Sequence, residues 1–401
     1  MKILLISDVY FPRVNGVSTS IKTFTEQMQQ LGHKVHLIAP DYGVPSSDEA
    51  WITRVPARSI YFDPEDKLMK YREILKLTPK LKGANYDILH IHTPFVAHYA
   101  GLKLAKALKI PTVETYHTFF EDYLHHYLGW IPKSMARGIA RMISKSQCNQ
   151  VYGLVSPSQP MLDVLYSYGV NTSSEVIPTG LQQNSFVEVD GLAFRERYGI
   201  PANRPMLLYV GRVAYEKNIG FLLEVVRLLI DEIPDILFLI TGEGPAEESL
   251  KHHVNHLGLQ KHVQFVGYLD RTTELNACYK AADIFVFASK SETQGLVLLE
   301  AMAQGTPIVA IAELGTASVL VEGLGAKIAA ESELDFVEKI HSLLINKEHR
   351  VALGLRGKEY ALQQWSSAAQ AEKMLALYAR LIVRFHENIE KQLIGLESQQ
   401  T

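Results

Sequence analysis

Residues 206–224 read MLLYVGRVAYEKNIGFLLE. The run Met206–Val210 is short and wholly apolar, as a strand covered on both faces must be. Gly211 breaks it, a polar loop carries Arg212 and Lys217, and apolar residues then recur at helical spacing over 218–232. Strand, glycine-bearing loop and helix are one step of a parallel sheet. The step repeats downstream as strand 236–240, helix 246–257, strand 263–266, helix 273–281, strand 283–287, helix 295–304 and strand 307–311. An earlier series holds strand Ile3–Ile6, a helix over 18–31, and strands Lys34–Ala39, Asp87–Ile91, Thr112–Tyr116, Val151–Ser156 and Glu175–Ile177. Between the two series lie a turn-rich stretch, a short helix at 192–198 and the break GIPANRP. Right-handed crossovers then predict an α/β protein of two doubly wound, Rossmann-like domains that part near 183–200. The tail AAQAEKMLALYARLIVRF, 368–385, is strongly helical in pattern.

Composition agrees with two folded domains. The 401 residues are 47% hydrophobic and 21% charged, which argues against disorder. A formal net charge of -3 shows no bias toward nucleic acid. The sum hides an asymmetry, because residues 1–182 hold 19 Lys+Arg against 15 Asp+Glu and the remainder holds 21 against 28. A basic front half invites an anionic surface as partner. Cys148 and Cys278 are too few and too far apart for a disulfide scaffold or a zinc site. The opening MKILLISDVY is too short for a signal segment, and no later stretch approaches the ~18 apolar residues of a membrane span. A cytoplasmic protein is expected, unable to cross a bilayer but able to lie on one.

Ligands of open α/β sheets gather at the carboxyl ends of strands, so the loops there carry the reading. SETQGLVLLEAMAQG, 291–305, places Glu292 in a loop and Gly295 and Leu296 at a helix start. Glu300 then falls inside an otherwise apolar helix. A carboxylate emerging to solvent is the plain alternative, but buried it needs donors. Eight helical residues span about 12 Å, too far for the two carboxylates to share a metal or a proton. They suit two ends of an extended ligand such as a nucleotide sugar, with the helix amides facing its diphosphate. Arg212 and Lys217, a fork and a point charge, suit phosphate oxygens. Asn15-Gly16, between a strand and a helix, brings backbone amides near a phosphate or makes a plain tight turn. His117, in ETYHTFFEDY, follows a buried strand and lands at the sheet edge. His90 and His92, in ILHIHTP, occupy a similar position, and an orienting role for one of them is favoured. The sequence holds no zinc-protease, nucleophile-elbow or P-loop motif and no Asp-x-Asp pair. No metal and no tightly bound cofactor are therefore expected, and Arg212, Lys217 and helix amides must supply the positive charge.

These residues resemble the large family of retaining GT-B glycosyltransferases known as family four, over nearly the whole chain. The marks are E-x7-E, here Glu292 to Glu300, and GR-x4-K, here Arg212 and Lys217. The resemblance implies two Rossmann-like domains facing a deep cleft, 1–185 with a C-terminal helix in 366–401 crossing back to it, and 186–365. It implies that Glu300 binds the donor ribose, Glu292 the transferred sugar, and Arg212 and Lys217 the diphosphate. Gly16 would approach that diphosphate, His117 would contact the sugar, and the loop with Gly267 and Tyr268 would flank the base. Many members have two glycines where this chain has Asn15-Gly16. Retention by front-face substitution, with the leaving phosphate helping to deprotonate the acceptor, is likewise an implication of the family.

Residues 127–145 read YLGWIPKSMARGIARMISK. Lys133, Arg137, Arg141 and Lys145 recur every four residues and form one drifting stripe along a helix. Ile131, Met135, Ile139, Met142 and Ile143 supply an apolar side, with Tyr127 and Trp130 just before it. Such a helix either lies in the interface of an anionic bilayer or packs its apolar side on the domain core. Lys103, Lys106 and Lys109 add a second basic row. The text around this segment looks similar to bacterial diacylglycerol glucosyltransferases and lipid mannosyltransferases. That points to a UDP-sugar donor, glucose in the favoured reading, and a diacylglycerol-type acceptor at the membrane's inner face. A family-four transferase with another acceptor, and a UDP-sugar 2-epimerase of the same architecture, are the rival readings.

Overall fold

In the computed structural model, residues 1–43, 50–60, 63–117, 119, 133–271 and 274–397 are described. The chain forms two compact units, Met1–Thr179 with Ser367–Thr401, and Gly180–Ser366. The second unit is thus inserted into the first. Its entering and leaving segments run side by side, with the Leu181 amide donating to the Trp365 carbonyl at 2.7 Å.

The first unit contains strands β1 (Lys2–Ile6), β2 (Lys34–Pro40), β3 (Ile52–Val55), β4 (Ala57–Ile60), β5 (Asp63–Met69), β6 (Ile88–Ile91), β7 (Thr112–Thr115), β8 (Gly153–Ser156) and β9 (Ser174–Val176). Seven of them form a parallel sheet in the order β3-β2-β1-β6-β7-β8-β9, while β4 and β5 pair as a separate antiparallel ribbon. The ribbon went unread in the sequence, where Pro56, Pro64 and an acidic run hide any strand pattern.

Alternation along β1 sorts the unit into layers. Ile3 and Leu5 face helix Gly16–Gln30 and the C-terminal helix Ser367–Glu397, through Ile21, Phe24, Met374 and Tyr378. Leu4 and Ile6 face the opposite side, against helix Val96–Leu108 through Ala97, Ala100 and Leu104. Gly153 of β8 sits under the C-terminal helix, and a Cβ there would collide with Leu381. On the other face, Leu154 packs with Ala140 and Cys148 of helix Lys133–Cys148.

The second unit holds β10 (Met206–Val210), β11 (Leu237–Thr241), β12 (Val263–Gly267), β13 (Ile284–Phe287), β14 (Ile308–Ala310) and β15 (Ala326–Ile328). They pair in parallel as β12-β11-β10-β13-β14-β15. All five residues of β10 are buried, as the apolar run requires. In each sheet the order turns back once, beside β1 and β6 in the first unit and beside β10 and β13 in the second. Those turning points leave a crevice at the strands' carboxyl ends.

Asp283, just before β13, pins the edge of the second unit. It accepts from Arg195 Nη2 at 3.0 Å, Arg350 Nη2 at 3.0 Å and the Met206 amide at 2.9 Å. Arg195 is buried and bonds four carbonyls besides. Replacing Asp283 with Ala strands that guanidinium, and is expected to lower stability by roughly 3 kcal/mol in urea unfolding. A change below about 0.5 kcal/mol would remove the hub role.

Candidate functional site

At the β10–β13 turning point the second unit brings charged residues from two loops together. The loop after β10 carries Arg212, Glu216 and Lys217, and the loop after β13 carries Glu292. Lys217 Nζ donates to Glu292 Oε1 at 2.5 Å, both side chains being largely buried. Arg212 Nη1 lies 4.0 Å from Glu216 Oε1. Burial alone would lower the Lys217 pKa, but Glu292 and Glu216 outweigh it and hold the ammonium above its ordinary value. The loops are tied further by Ser289 Oγ and Ser291 Oγ, which donate to the Glu216 carbonyl at 3.4 and 3.5 Å.

Glu300 lies in helix Leu296–Ala303 and is buried. Tyr279 donates its hydroxyl to Glu300 Oε2 at 2.8 Å, and Arg271 donates to Oε1. Burial would depress the Arg271 pKa, and the Glu300 charge reverses that. Neither partner was read from the sequence, where Tyr279 falls within the helix expected over 273–281 and Arg271 lies just before it. The span of about 12 Å assigned to the two glutamates needs correcting. Only the residues from Leu296 onward are helical, so Glu292 reaches Lys217 from a loop. Gly295 precedes the helix at φ +87, and a Cβ would lie 3.0 Å from Leu298 Cδ1. Both backbone and space demand glycine there. Gly267 ends β12, and Tyr268 beside it is 43% exposed.

In the first unit the turning point is closed by Asp8, at the end of β1. Its Oδ2 accepts from the Ala97 amide at 2.7 Å and from Thr93 Oγ1 at 3.1 Å. A buried carboxylate thereby caps the start of helix Val96–Leu108. Asn15 caps helix Gly16–Gln30, its side chain accepting from the Ser18 amide at 2.9 Å. That cap is a structural duty the sequence reading left open. Gly16 is different, since a Cβ at this helix start would meet nothing within 4 Å. Packing within the protein gives no reason for glycine at this position.

Three histidines line the carboxyl edge of β6 and β7. The His92 Nδ1 and His117 Nε2 atoms are 3.1 Å apart, and the two rings stack with centroids 5.4 Å apart. His90 stacks on His92 at 4.1 Å, meets Thr115 Oγ1 at 2.7 Å and bonds the Tyr378 hydroxyl of the C-terminal helix. Burial lowers the pKa of His90 to about 3 and of His117 to about 4, and pushes His92 well below the ordinary range. All three imidazoles are neutral at pH 7.

Helix Lys133–Cys148 turns Ala140, Ser144, Gln147 and Cys148 inward. Met135, Ile139 and Met142 are 51%, 36% and 66% exposed, so these three do not pack on the core. Arg137, Arg141 and Lys145 are exposed beside them. The arginine at 141 also lies over the Tyr168 ring, 5.5 Å from its centroid. Trp130, with Tyr127 and Ile131, lies outside the described residues, and so does the side chain of Lys133. Among the described residues, no helix is long and apolar enough to cross a membrane.

Two measurements check this site. The lowered histidine pKa values mean that the unfolded chain binds more protons between pH 6.5 and about 4. This part of the stability is complete above pH 6.5 and falls with pH through that window, by up to ~1.4 kcal/mol per pH unit per histidine. Urea unfolding from pH 7.5 to 4.5 should show that slope, shallower in His90→Gln; equal slopes would refute it. Gly16→Ala should keep or slightly raise the melting temperature while weakening ligand binding at the helix start. A loss of several degrees would make Gly16 structural.

Two family models divide the chain between them. Glycosyltransferase Family 4 matches residues 14–184, and Glycosyl transferases group 1 matches residues 192–360. An alpha-monoglucosyldiacylglycerol synthase of Streptococcus pneumoniae is 35% identical over 77% of this chain and 71% of its own. One of the same name from Acholeplasma laidlawii is 26% identical over 98% of this chain and 100% of its own. Among solved structures, a sucrose-phosphate synthase of Thermosynechococcus elongatus superposes with a TM-score of 0.77 at 22% identity, covering 96% of this chain and 99% of that one. HepE of Anabaena, in complex with UDP-glucose, gives 0.75 at 15% identity, covering 95% and 100%. Two parallel Rossmann-like units, the paired E-x7-E and GR-x4-K residues and these likenesses agree: the chain is a glycosyltransferase of the GT-B fold and belongs to family four.

Proposed function

We propose that this glycosyltransferase moves a hexose, glucose in the favoured reading, from a UDP-sugar to the free hydroxyl of diacylglycerol on an anionic membrane surface. The observation that carries the donor half is the Lys217–Glu292 pair at the β10–β13 turning point, with Arg212 Nη1 4.0 Å from Glu216 Oε1 in the same loop. Two relatives named for glucosyl transfer to diacylglycerol support the acceptor, and neighbours solved with UDP or UDP-glucose support the donor.

Loss of a nucleoside diphosphate builds negative charge on the β-phosphate and positive character at the sugar's C1. Arg212 and Lys217, with the helix that starts after Gly295, stabilise the first charge from positions fixed beforehand. Glu292 accepts hydrogen bonds from hydroxyls of the transferred sugar, and Glu300 from those of the ribose. His117 contacts the sugar, and the helix start at Gly16 takes phosphate oxygens. The C1–O bond to the β-phosphate breaks as the acceptor oxygen bonds to C1 on the same face. The hydroxyl proton passes to the departing phosphate oxygen. This supplies retention without a protein nucleophile.

The first unit offers an anionic-lipid face. Exposed cations sit on the sheet side opposite the C-terminal helix: Lys76, Lys80 and Lys82, then Lys103, Lys106 and Lys109, then Arg137, Arg141 and Lys145. Helix Gly16–Gln30, on the other side, carries one cation, Lys22, matched by Glu26, and residues 367–401 hold four of each sign. Met135, Ile139 and Met142 add apolar side chains beside those cations for insertion among headgroups. Peripheral attachment at the inner membrane face follows from this reading.

Purified protein offered several nucleotide sugars with vesicles of diacylglycerol and an anionic phospholipid should yield monoglucosyldiacylglycerol by mass. Product only on a soluble acceptor, or C2-inverted sugar without acceptor, would overturn the assignment. Glu292→Ala and Lys217→Ala are expected to lower kcat by about a hundredfold or more with the fold retained, while urea unfolding registers a loss of stability from the charge left unpaired. Arg141→Glu with Lys145→Glu should reduce co-sedimentation with anionic vesicles, and undiminished co-sedimentation would remove the lipid face.

A further inference from the structure

The two oxygens of the Glu300 carboxylate are held by donors of different kinds. Oε2 accepts from the Tyr279 hydroxyl at 2.8 Å, and Oε1 accepts from Arg271 Nη2. Tyr279 is 0% exposed, whereas the Arg271 side chain is 31% exposed. Oε1 is therefore on the side of the carboxylate nearer to solvent.

Tyr279 is fixed from several directions. It lies in helix Leu275–Ala281, and its ring packs beside Phe285 of β13 with centroids 5.8 Å apart. Its carbonyl accepts from Thr306 Oγ1 at 2.6 Å, and Thr306 stands between helix Leu296–Ala303 and β14. Backbone and hydroxyl thus both tie the tyrosine to the segment that carries Glu300. Burial and the Glu300 charge push the Tyr279 pKa well above its ordinary value, so the hydroxyl keeps its proton and donates. A partly exposed arginine can re-aim, but a tyrosine packed in the core cannot. The glutamate itself has several rotatable bonds, and it meets a hydroxyl well only when its carboxylate is already aimed.

We propose that Tyr279 is a positioning residue of the donor site: it holds Oε2 from within the core and so presents Oε1 to the ribose hydroxyls, while Arg271 is the partner that gives way. This role presupposes that Glu300 binds the donor ribose, as in the proposed function. The diphosphate separates the ribose from the bond that breaks, so the contact is made alike in ground and transition states. Its loss falls on donor binding more than on the chemical step.

Calorimetry with UDP and with dideoxy-UDP, which lacks both ribose hydroxyls, tests this. Wild type should bind UDP about tenfold or more tightly than the dideoxy nucleotide, as hydrogen bonds to a charged group allow. Tyr279→Phe keeps the ring and removes the hydroxyl. It should bring the ratio to about threefold or less, and raise the donor KM more than it lowers kcat. Arg271→Gln should keep the wild-type ratio or enlarge it. A purely structural Tyr279 would instead lower stability and leave the ratio at its wild-type value in Tyr279→Phe, overturning the proposal. An equal collapse of the ratio in Arg271→Gln would also overturn it, since any donor to the carboxylate would then suffice. Glu300→Ala tests the underlying contact separately. There the discrimination should vanish, and its survival would overturn the ribose contact itself, whatever Tyr279→Phe shows.

Discussion

Every pair of neighbouring strands in the two main sheets is parallel, and that constraint organises the rest. A parallel connection must cross over, so each sheet grows from a central strand in one direction and then in the other. The place where growth reverses cannot be bridged by a crossover helix, and polar loops from two non-adjacent segments meet there. β1 and β6 bring Asp8 to Thr93 and Ala97. β10 and β13 bring Lys217 to Glu292. In both units, buried charge appears where the sheet leaves space and helix starts leave donors.

The second unit shows how such charge is tolerated. It is acidic in sum, yet both glutamates of the E-x7-E motif meet a cation, Glu292 from Lys217 and Glu300 from Arg271. Breaking either pair by truncation leaves an uncompensated charge, whereas a ligand can exchange partners without doing so. In the proposed function, a diphosphate entering near Lys217 would supply the anion that Glu292 supplies here, and would release that carboxylate to sugar hydroxyls. The pairs tie the loop after β10 to the loop after β13, and Arg271 to the helix that carries Glu300.

The alternation of strands and helices was legible because buried parallel strands are continuous apolar runs and Gly211 and Gly295 mark the loops between. The charged pairs were legible only in part. Glu292 and Lys217 announced themselves by spacing within short motifs, but Tyr279 and Arg271 reach Glu300 from outside its motif, 21 and 29 residues away. No local pattern encodes such a contact. Asn15 was ambiguous for a different reason, since the residue types that cap helices are also those that build phosphate loops. The helix at Lys133–Cys148 had two faces with apolar members, and periodicity alone does not say which one meets the sheet. The small side chains form the inward face, Ala140 and Cys148 packing with Leu154 of β8 and Ser144 bonding the Tyr116 hydroxyl.

The electrostatics of the proposed reaction ask opposite things of the two ends of the scissile bond. The phosphate end gains negative charge and is served by Arg212 and Lys217, the latter held firmly protonated by the carboxylates around it. The sugar end gains positive character, and a second cation there would raise the barrier. On the proposed reading His117 meets that requirement by being a histidine kept neutral: burial lowers its pKa to about 4, and His92, on which His90 stacks, lies beside it without bringing charge. A lysine or arginine at 117 would offer hydrogen bonds of similar reach but would repel the developing oxocarbenium. Three buried imidazoles at one sheet edge cost stability at low pH. In the proposed reaction this leaves an uncharged imidazole beside the sugar at neutral pH.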